Sequence, residues 1–233
     1  MKQTKFKTIF KCYLTVFAVF TTFVTNVKAE EIKGIFANDC IDGLLYNYDI
    51  YYDVNAVTCC GACYIPGTNK IDRSLESVVI PSTVTVRFII GYDNIADTII
   101  YKDHKLPVKR IADHAFMNYT NLKQVIISGN VIEIGSSAFA NCTNLQEVEI
   151  PGSVEIIGGS AFYNCTNLKH ITNWANPPQS INEFTFENVK RESVKISCTE
   201  IAIEEWEKYG WGGFQFIKVD DKYKTDNSNT GFH

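Results

Sequence analysis

Three cysteines lie within five residues, at Cys59, Cys60 and Cys63. The Cys-x-x-Cys spacing of the last two suits zinc binding or thiol redox chemistry. The sequence has no second Cys-x-x-Cys and no paired histidines to complete a tetrahedral metal site, and the segment lacks the βαβ context of a thioredoxin. We therefore interpret these residues, together with Cys40, as candidates for a disulfide. Metal or redox chemistry is the alternative, and no cofactor is predicted.

Two serine-containing segments resemble the hydrolase motif Gly-x-Ser-x-Gly. Residues 135–139 read Gly-Ser-Ser-Ala-Phe and residues 158–162 read Gly-Gly-Ser-Ala-Phe, so both end in Phe where the motif requires Gly. The two segments also recur at a fixed interval, which is typical of a structural repeat and not of a catalytic serine. We therefore interpret both serines as structural.

The remaining residues with catalytic potential are few. Glu147 and Glu149 are two residues apart, as a glycosidase carboxylate pair could be, but nothing in the sequence marks a pocket around them. A solvated strand face is the better interpretation. The histidines form no His-Glu-x-x-His motif, and no Gly-rich phosphate loop with Lys is present. The sequence therefore predicts that the protein is not an enzyme. The histidines are His104, His114, His170 and His233.

The serine segments belong to an internal repeat with a period of 23 residues. Three copies begin at Ile111, Ile134 and Ile157 and align without gaps. An eroded fourth copy begins at Ile181, and an earlier half-copy runs from residue 75 to residue 84. The positions marking the phase are Phe116, Phe139 and Phe162, with Leu122, Leu145 and Leu168.

One repeat unit predicts its own local structure. Leu145, Val148 and Ile150 include the period-two alternation of a half-buried strand, and Pro151-Gly152 then turns the chain. The segment before Phe139 suits a short helical turn. Because one unit cannot bury its apolar face alone, the units should stack into a β-rich, right-handed repeat solenoid with a parallel strand ladder at ~4.8 Å spacing.

Asparagines also recur in phase with this repeat. Repeated Asn in a solenoid usually bonds the neighbouring coil where the chain leaves the strand ladder, so we expect a structural role for all six. The first three also begin Asn-x-Thr sequons, and glycosylation is the alternative use. These residues are Asn118, Asn141 and Asn164, then Asn121, Asn144 and Asn167.

The pattern Ile-Gly-x-x-Ala-Phe-x-Asn-Cys-Thr-Asn-Leu-x-x-Val-x-Ile-Pro resembles the BspA-like leucine-rich repeat. The resemblance covers residues 75–196. The segments around Asp42–Tyr46 and Val108–Phe116 are similar to the family's opening region, and Ser193–Ile196 with Trp206–Trp211 resembles its closing strand and helix. The family implies a leucine-rich-repeat solenoid, export, and a role at or outside a cell surface, often adhesive.

The predicted domain organisation has five parts. Residues 30–74 form a β-rich N-terminal cap. Residues 75–196 are the repeats, with a hairpin insertion at 85–107. Residues 197–219 form a C-terminal cap with a helix near Glu200–Tyr209 ended by Gly210, and residues 220–233 a disordered tail. The first part comprises residues 1–29.

The N-terminal 29 residues are typical of a secretory signal peptide. Lysines precede the apolar run of residues 12–24, and Val27-Lys28-Ala29 suits signal peptidase; an uncleaved anchor is the alternative. Removing the leader's five lysines from 22 basic and 26 acidic residues leaves a net charge of −9. This acidity excludes a phosphate-tracking nucleic-acid surface. No later segment is apolar enough to cross a membrane, so we expect a secreted or cell-surface protein.

A ligand site is expected on the exposed face of the repeat strands. If Val125, Val148 and Ile171 point inward, alternation sends their neighbours outward. Ile126 and Trp174 on this face are not needed for packing, although cover by the insertion or the C-terminal cap is the alternative. The candidate residues are Gln124, Ile126, Glu147, Glu149, His170, Thr172 and Trp174.

The sequence thus predicts an exported binding module for a protein or glycan ligand at the cell surface. One alternative is a structural, envelope-associated protein without a specific ligand. The other is an exported metal or redox protein that uses Cys59, Cys60 and Cys63.

Overall fold

The computed structural model describes residues 36–41, 44–49, 56–62, 71–93, 98–199 and 203–219. The chain divides into two compact units, of which one comprises Ala37–Tyr48 and Val54–His233. The fold below is that of this unit. The other unit, Met1–Phe36 with Asp49–Asp53, lies outside the described residues except at two strand ends. The predicted signal peptide and the predicted disordered tail also lie outside the described residues.

A parallel sheet of six short strands runs through the described repeats. Its order is β13-β12-β11-β9-β7-β4. The register pairs Gln124 with Glu147 and Glu147 with His170, positions that are 23 residues apart. The strands are β4 (Ser77–Ile80), β7 (Gln124–Ile127), β9 (Glu147–Ile150), β11 (His170–Asn173), β12 (Lys195–Cys198) and β13 (Gln215–Lys218).

The second sheet contains the remaining strands, of which β8 and β10 alternate along the chain with strands of the first sheet. Its order is β1-β2-β3-β6-β8-β10, and β5 pairs antiparallel with β6. The β5–β6 pair extends beyond the predicted hairpin insertion at both ends, and β6 also pairs parallel with β3 and β8. The strands are β1 (Phe36–Ile41), β2 (Leu44–Asp49), β3 (Val57–Ala62), β5 (Thr83–Asp93), β6 (Thr98–Ile111), β8 (Glu133–Ile134) and β10 (Ile156–Ile157).

The core between the strands is a stack of phenylalanines. Phe116 and Phe139 lie with ring centroids 5.3 Å apart, and Phe139 and Phe162 5.5 Å apart, with the rings nearly parallel. Phe186 of the eroded repeat extends the stack at 5.1 Å, and Trp211 ends it with a tilted ring. All five side chains are buried. The recurring Phe therefore contacts its own copies in adjacent coils, as the repeat predicts.

The segment around each core Phe is a chain of turns, and the predicted helical turn is wrong. Ser137 and Asn141 have φ of 53° and 60°, in the left-handed region that a helix does not use. Their backbones continue the ladder between coils, since the Ser137 amide donates to the Gly159 carbonyl at 3.0 Å. Gly158 is required there because a Cβ would lie 2.5 Å from the backbone nitrogen of Ser136.

Five of the six recurring asparagines form hydrogen bonds between neighbouring coils, as expected. Asn141 Nδ2 donates to Asn118 Oδ1 at 2.9 Å, and Asn164 Nδ2 donates to Asn141 Oδ1 at 3.0 Å. Asn144 Nδ2 donates to the Thr120 carbonyl one coil away at 2.7 Å. The first three thus bond side chain to side chain, while Asn144 bonds the backbone as expected.

The C-terminal segment contains the helix predicted there. A 3₁₀ turn (Arg191–Ser193) precedes β12, and the helix α1 spans Ile203–Trp206 before widening into a π-type turn at Glu207–Trp211. Gly210, with φ of 92°, is non-helical and interrupts the helical backbone at the predicted position. The wide turn buries Trp211, whose Nε1 donates to the Gln179 carbonyl at 2.7 Å. No helix among the described residues is long and apolar enough to cross a membrane.

Candidate binding face on the parallel sheet

Two rows of side chains point away from the core on the six-stranded sheet. The pattern of burial in β4, β7, β9 and β11 alternates outward and inward along each strand, as the pleat requires. We call these two rows together the outer face. The first row contains Ser77, Gln124, Glu147, His170, Lys195 and Gln215, and the second contains Val79, Ile126, Glu149, Thr172, Ser197 and Ile217.

Six of the seven predicted ligand-binding residues line one shallow depression on this face. Its volume is about 70 Å³, and the backbone floor beneath it includes Val125 and Val148. Glu147 and Glu149, for which the sequence indicates no pocket, therefore both line this depression. The six are Gln124, Ile126, Glu147, Glu149, His170 and Thr172.

The seventh predicted residue, Trp174, lies beside the depression and bonds one of its walls. Its Nε1 donates to Glu149 Oε1 at 3.1 Å. The Trp174 backbone also passes close to Gly152, where a Cβ would lie 2.9 Å from the Trp174 carbonyl oxygen. Trp174 and Ile126 are half-buried, so neither is as exposed as the sequence predicts. The hydrogen-bond partner of the Trp174 indole N–H is thus Glu149, a residue of the same sheet.

Two further hydrogen bonds order the outer face. Gln124 Nε2 donates to Glu147 Oε2 at 3.0 Å. His170 Nε2 and Ser197 Oγ lie 2.8 Å apart, and the direction of that bond depends on the imidazole tautomer. These bonds join adjacent strands, so the polar side chains are held at fixed positions across the sheet.

The two glutamates of the depression have no cationic partner among the described residues. Ion pairs in that part of the chain join Arg110 with Asp113 and Glu133, and Lys123 with Glu76. Gln124 and Trp174, which do bond the two glutamates, are neutral donors. The centre of the outer face therefore carries negative charge that no described side chain neutralises.

The structure adds residues to the face that the sequence analysis missed. Ser77 and Val79 are at the same repeat positions as Glu147 and Glu149. The alignment of the half-copy at residue 75 with the segment at residue 145 already indicates this in the sequence. Lys195 and Ser197 could be found from the inward Ile196 of the eroded copy. No repeat signal marks β13, which supplies Gln215 and Ile217.

The structure describes only some of the cysteines that were predicted to form a disulfide. Cys59 is a fully buried free thiol, and burial raises its pKa to about 12. A thiol held protonated is a poor nucleophile and a poor zinc ligand. The side chains of Cys40 and Cys63 lie outside the described residues, so a disulfide among the candidates other than Cys59 stays a prediction. Within the described residues, no group of His, Cys, Asp and Glu could hold a metal ion.

Comparisons with known proteins point to one family. Residues 96–207 match the family model for the BspA type leucine rich repeat region, in six copies, which is more copies than the sequence analysis recognised. No curated protein matches the sequence.

Solved structures give a similar result. The chain is similar to a leucine-rich repeat protein from Bacteroides ovatus, with 25% identity and a TM-score of 0.51, over 79% of this chain and 42% of that chain. It is also similar to a leucine-rich repeat protein from Bacteroides capillosus, with 20% identity and a TM-score of 0.48, over 70% of this chain and 99% of that chain. It is similar as well to a leucine rich cell surface protein from Faecalibacterium prausnitzii, with 20% identity and a TM-score of 0.41, over 69% of this chain and 45% of that chain. The chain thus spans less than half of the first and third of these proteins. The likeness to the first shows the predicted repeat-solenoid fold.

Proposed function

The repeats of residues 96–207 belong to the BspA-type leucine-rich-repeat family, and on that premise we propose that the protein is a non-enzymatic binding module. Its ligand is a protein or glycan at or outside a cell surface, and the outer face is its site. One observation carries this proposal: six outer-face side chains that differ from coil to coil line a single depression. The inward positions vary less, since both are Val or Ile in β4, β7 and β9, and β11 has Ile171 with Asn173.

A hydrolytic function is the second candidate, because Ser197 Oγ lies 2.8 Å from His170 Nε2. Nucleophilic catalysis also needs donors aimed at the developing oxyanion. The strands that carry these two side chains pair with each other and with further strands on both sides, which uses their backbone N–H groups in the ladder. The pair is therefore better explained as a hydrogen bond that orders the outer face.

Export is part of the proposal. The N-terminal sequence supports it, since residues 1–29 have the pattern of a cleaved leader. The protein would then act outside the cytoplasm.

The experiment is a pull-down from extracts of microbial and host cell surfaces. Trp174→Ala and Glu147→Lys should each reduce capture of the ligand at least about tenfold, as loss of a hot-spot contact does. Phe184→Ala and Glu155→Lys are the matched controls, because both residues are exposed and neither belongs to the outer face. Their capture should equal that of the parent protein.

Two results would contradict the proposed site. One is normal capture by both outer-face variants. The other is a large fall in thermal stability of Trp174→Ala together with normal capture by Glu147→Lys, which would make Trp174 a packing residue.

A further inference from the structure

The second row of the outer face changes from apolar to acidic across three adjacent strands. Val79 is 52% exposed, and it pairs in register with Ile126, which in turn pairs with Glu149. Adjacent strands lie ~4.8 Å apart. An exposed apolar surface therefore borders a carboxylate at the distance of one strand.

Both glutamates of the depression keep hydrogen-bonding capacity for a ligand. The structure assigns one oxygen of Glu147 to Gln124 and one oxygen of Glu149 to Trp174. A carboxylate accepts at both oxygens, so each retains one oxygen directed to neither neighbour. A cationic donor at these oxygens would form charge-assisted hydrogen bonds, which are stronger than the neutral ones present.

The nearby lysines either bond other side chains or lie on a more distant strand. Lys123 Nζ lies 2.8 Å from Glu76 Oε2, and Lys169 Nζ donates to Gln146 Oε1 at 3.4 Å. Lys195 pairs in register with His170, which places it two strands, or roughly 9.6 Å, from Glu147. The acidic centre is thus available to a cation supplied by a partner.

We infer that the outer face binds an extended, basic segment of a partner polypeptide. An apolar side chain of the segment lies on Val79 and Ile126, and a lysine or arginine two residues further on reaches Glu147 and Glu149. Same-side residues of an extended chain are about 6.6 Å apart, within reach of this spacing between the apolar and acidic positions. This inference rests on the proposed function and specifies the chemistry of its ligand.

The test uses three labelled synthetic peptides and fluorescence anisotropy on the full chain. One repeats Leu-Gly-Lys-Gly three times, the second replaces Lys by Glu, and the third replaces Leu by Ala. The Leu/Lys peptide should bind, with the Leu/Glu peptide at least about tenfold weaker and the Ala/Lys peptide weaker by a smaller factor. Binding of the Leu/Lys peptide should weaken with rising salt, because exposed charges are screened.

Matched variants separate the site from the overall acidity of the protein. The double substitution Glu147→Gln and Glu149→Gln should weaken the Leu/Lys peptide about tenfold or more. Glu155→Gln serves as the comparison. It makes half the charge change outside the outer face, and it should leave binding unchanged.

Four results would overturn the inference. They are absence of Leu/Lys peptide binding, equal binding of the Leu/Glu peptide, loss of binding in Glu155→Gln equal to that in the double variant, and a captured ligand that proves to be a neutral oligosaccharide. In each case the proposed function survives if Trp174→Ala and Glu147→Lys still reduce capture in the pull-down. It fails separately if those variants capture normally.

Discussion

At the scale of single residues, Phe139 is an inner ring of the core stack. It is fully buried and lies between Phe116 and Phe162. Phe139→Ala should lower the free energy of unfolding by ~3–5 kcal/mol, because it removes two ring contacts and leaves a cavity. Chemical denaturation of both proteins measures this difference.

Phe184→Ala is the control for that prediction. Phe184 lies 22 residues after Phe162 and is 50% exposed. Because its side chain is exposed, the same substitution should alter the free energy of unfolding by only about 0.5 kcal/mol. Equal denaturation midpoints for the two variants would contradict the stacked core.

Two buried thiols predict a dependence of stability on alkaline pH. Cys142 and Cys165 donate to the carbonyls of Phe116 and Phe139. Burial raises the pKa of Cys142 from 9.0 to about 12 and raises that of Cys165 well above 9.0. The folded state keeps these protons where the unfolded chain loses them. Their contribution to stability is therefore fully present below pH 9 and is lost as pH rises toward 12.

The measurement compares the parent protein with the double variant Cys142→Ala and Cys165→Ala. The variant should be less stable at pH 7, because it loses two well-packed side chains. The difference in unfolding free energy should shrink as pH rises above 9, since only the parent has the titrating thiols. A difference that stays constant from pH 7 to pH 11 would mean that burial does not perturb these groups.

At the scale of elements, the asparagine ladder explains how the turns between strands are fixed. Asn141 has φ of 60°, donates to Asn118 Oδ1 and accepts from Asn164 Nδ2. Asparagine suits this position because it tolerates the left-handed region better than most residues and has both a donor and an acceptor on one side chain. The same three asparagines begin the Asn-x-Thr sequons, so the ladder accounts for their recurrence without glycosylation.

Two substitutions of Asn141 separate its roles. Asn141→Gly keeps the backbone conformation but removes both ladder bonds, at a cost of about 1–3 kcal/mol in unfolding free energy. Asn141→Ala should cost roughly a further 1 kcal/mol, because a Cβ disfavours positive φ. Thermal or chemical denaturation tests the order parent, Gly variant, Ala variant. An alanine variant as stable as the glycine variant would show that the turn relaxes out of the left-handed region.

At the scale of the whole molecule, the proposed export determines which chain is active. We expect cleavage after Ala29, so N-terminal sequencing of protein recovered outside the cytoplasm should begin at Glu30. Cleavage removes five lysines and makes the remaining chain more acidic, which favours the basic partner inferred above. Recovery of intact Met1 in a membrane pellet would support the uncleaved anchor instead.

The sequence by itself determined the repeated interior of the protein. The recurrence of Phe116, Phe139 and Phe162 predicts the core stack. The alternation of apolar and polar residues around Val148 predicts which side of the sheet each strand residue faces. These features follow from sequence because every coil makes the same contacts with its neighbours, so one period implies the rest. The six predicted lining residues of the depression were found by the same logic.

The tertiary structure alone decided the contacts that do not repeat. Strand β6 pairs parallel with β3 and β8 in addition to its hairpin with β5, β13 joins the sheet without a repeat signal, and a wide turn at Glu207–Trp211 buries Trp211. The contact of Trp174 with Glu149 is of the same kind. Each depends on packing between segments far apart in sequence, where neither period nor local propensity fixes the partner.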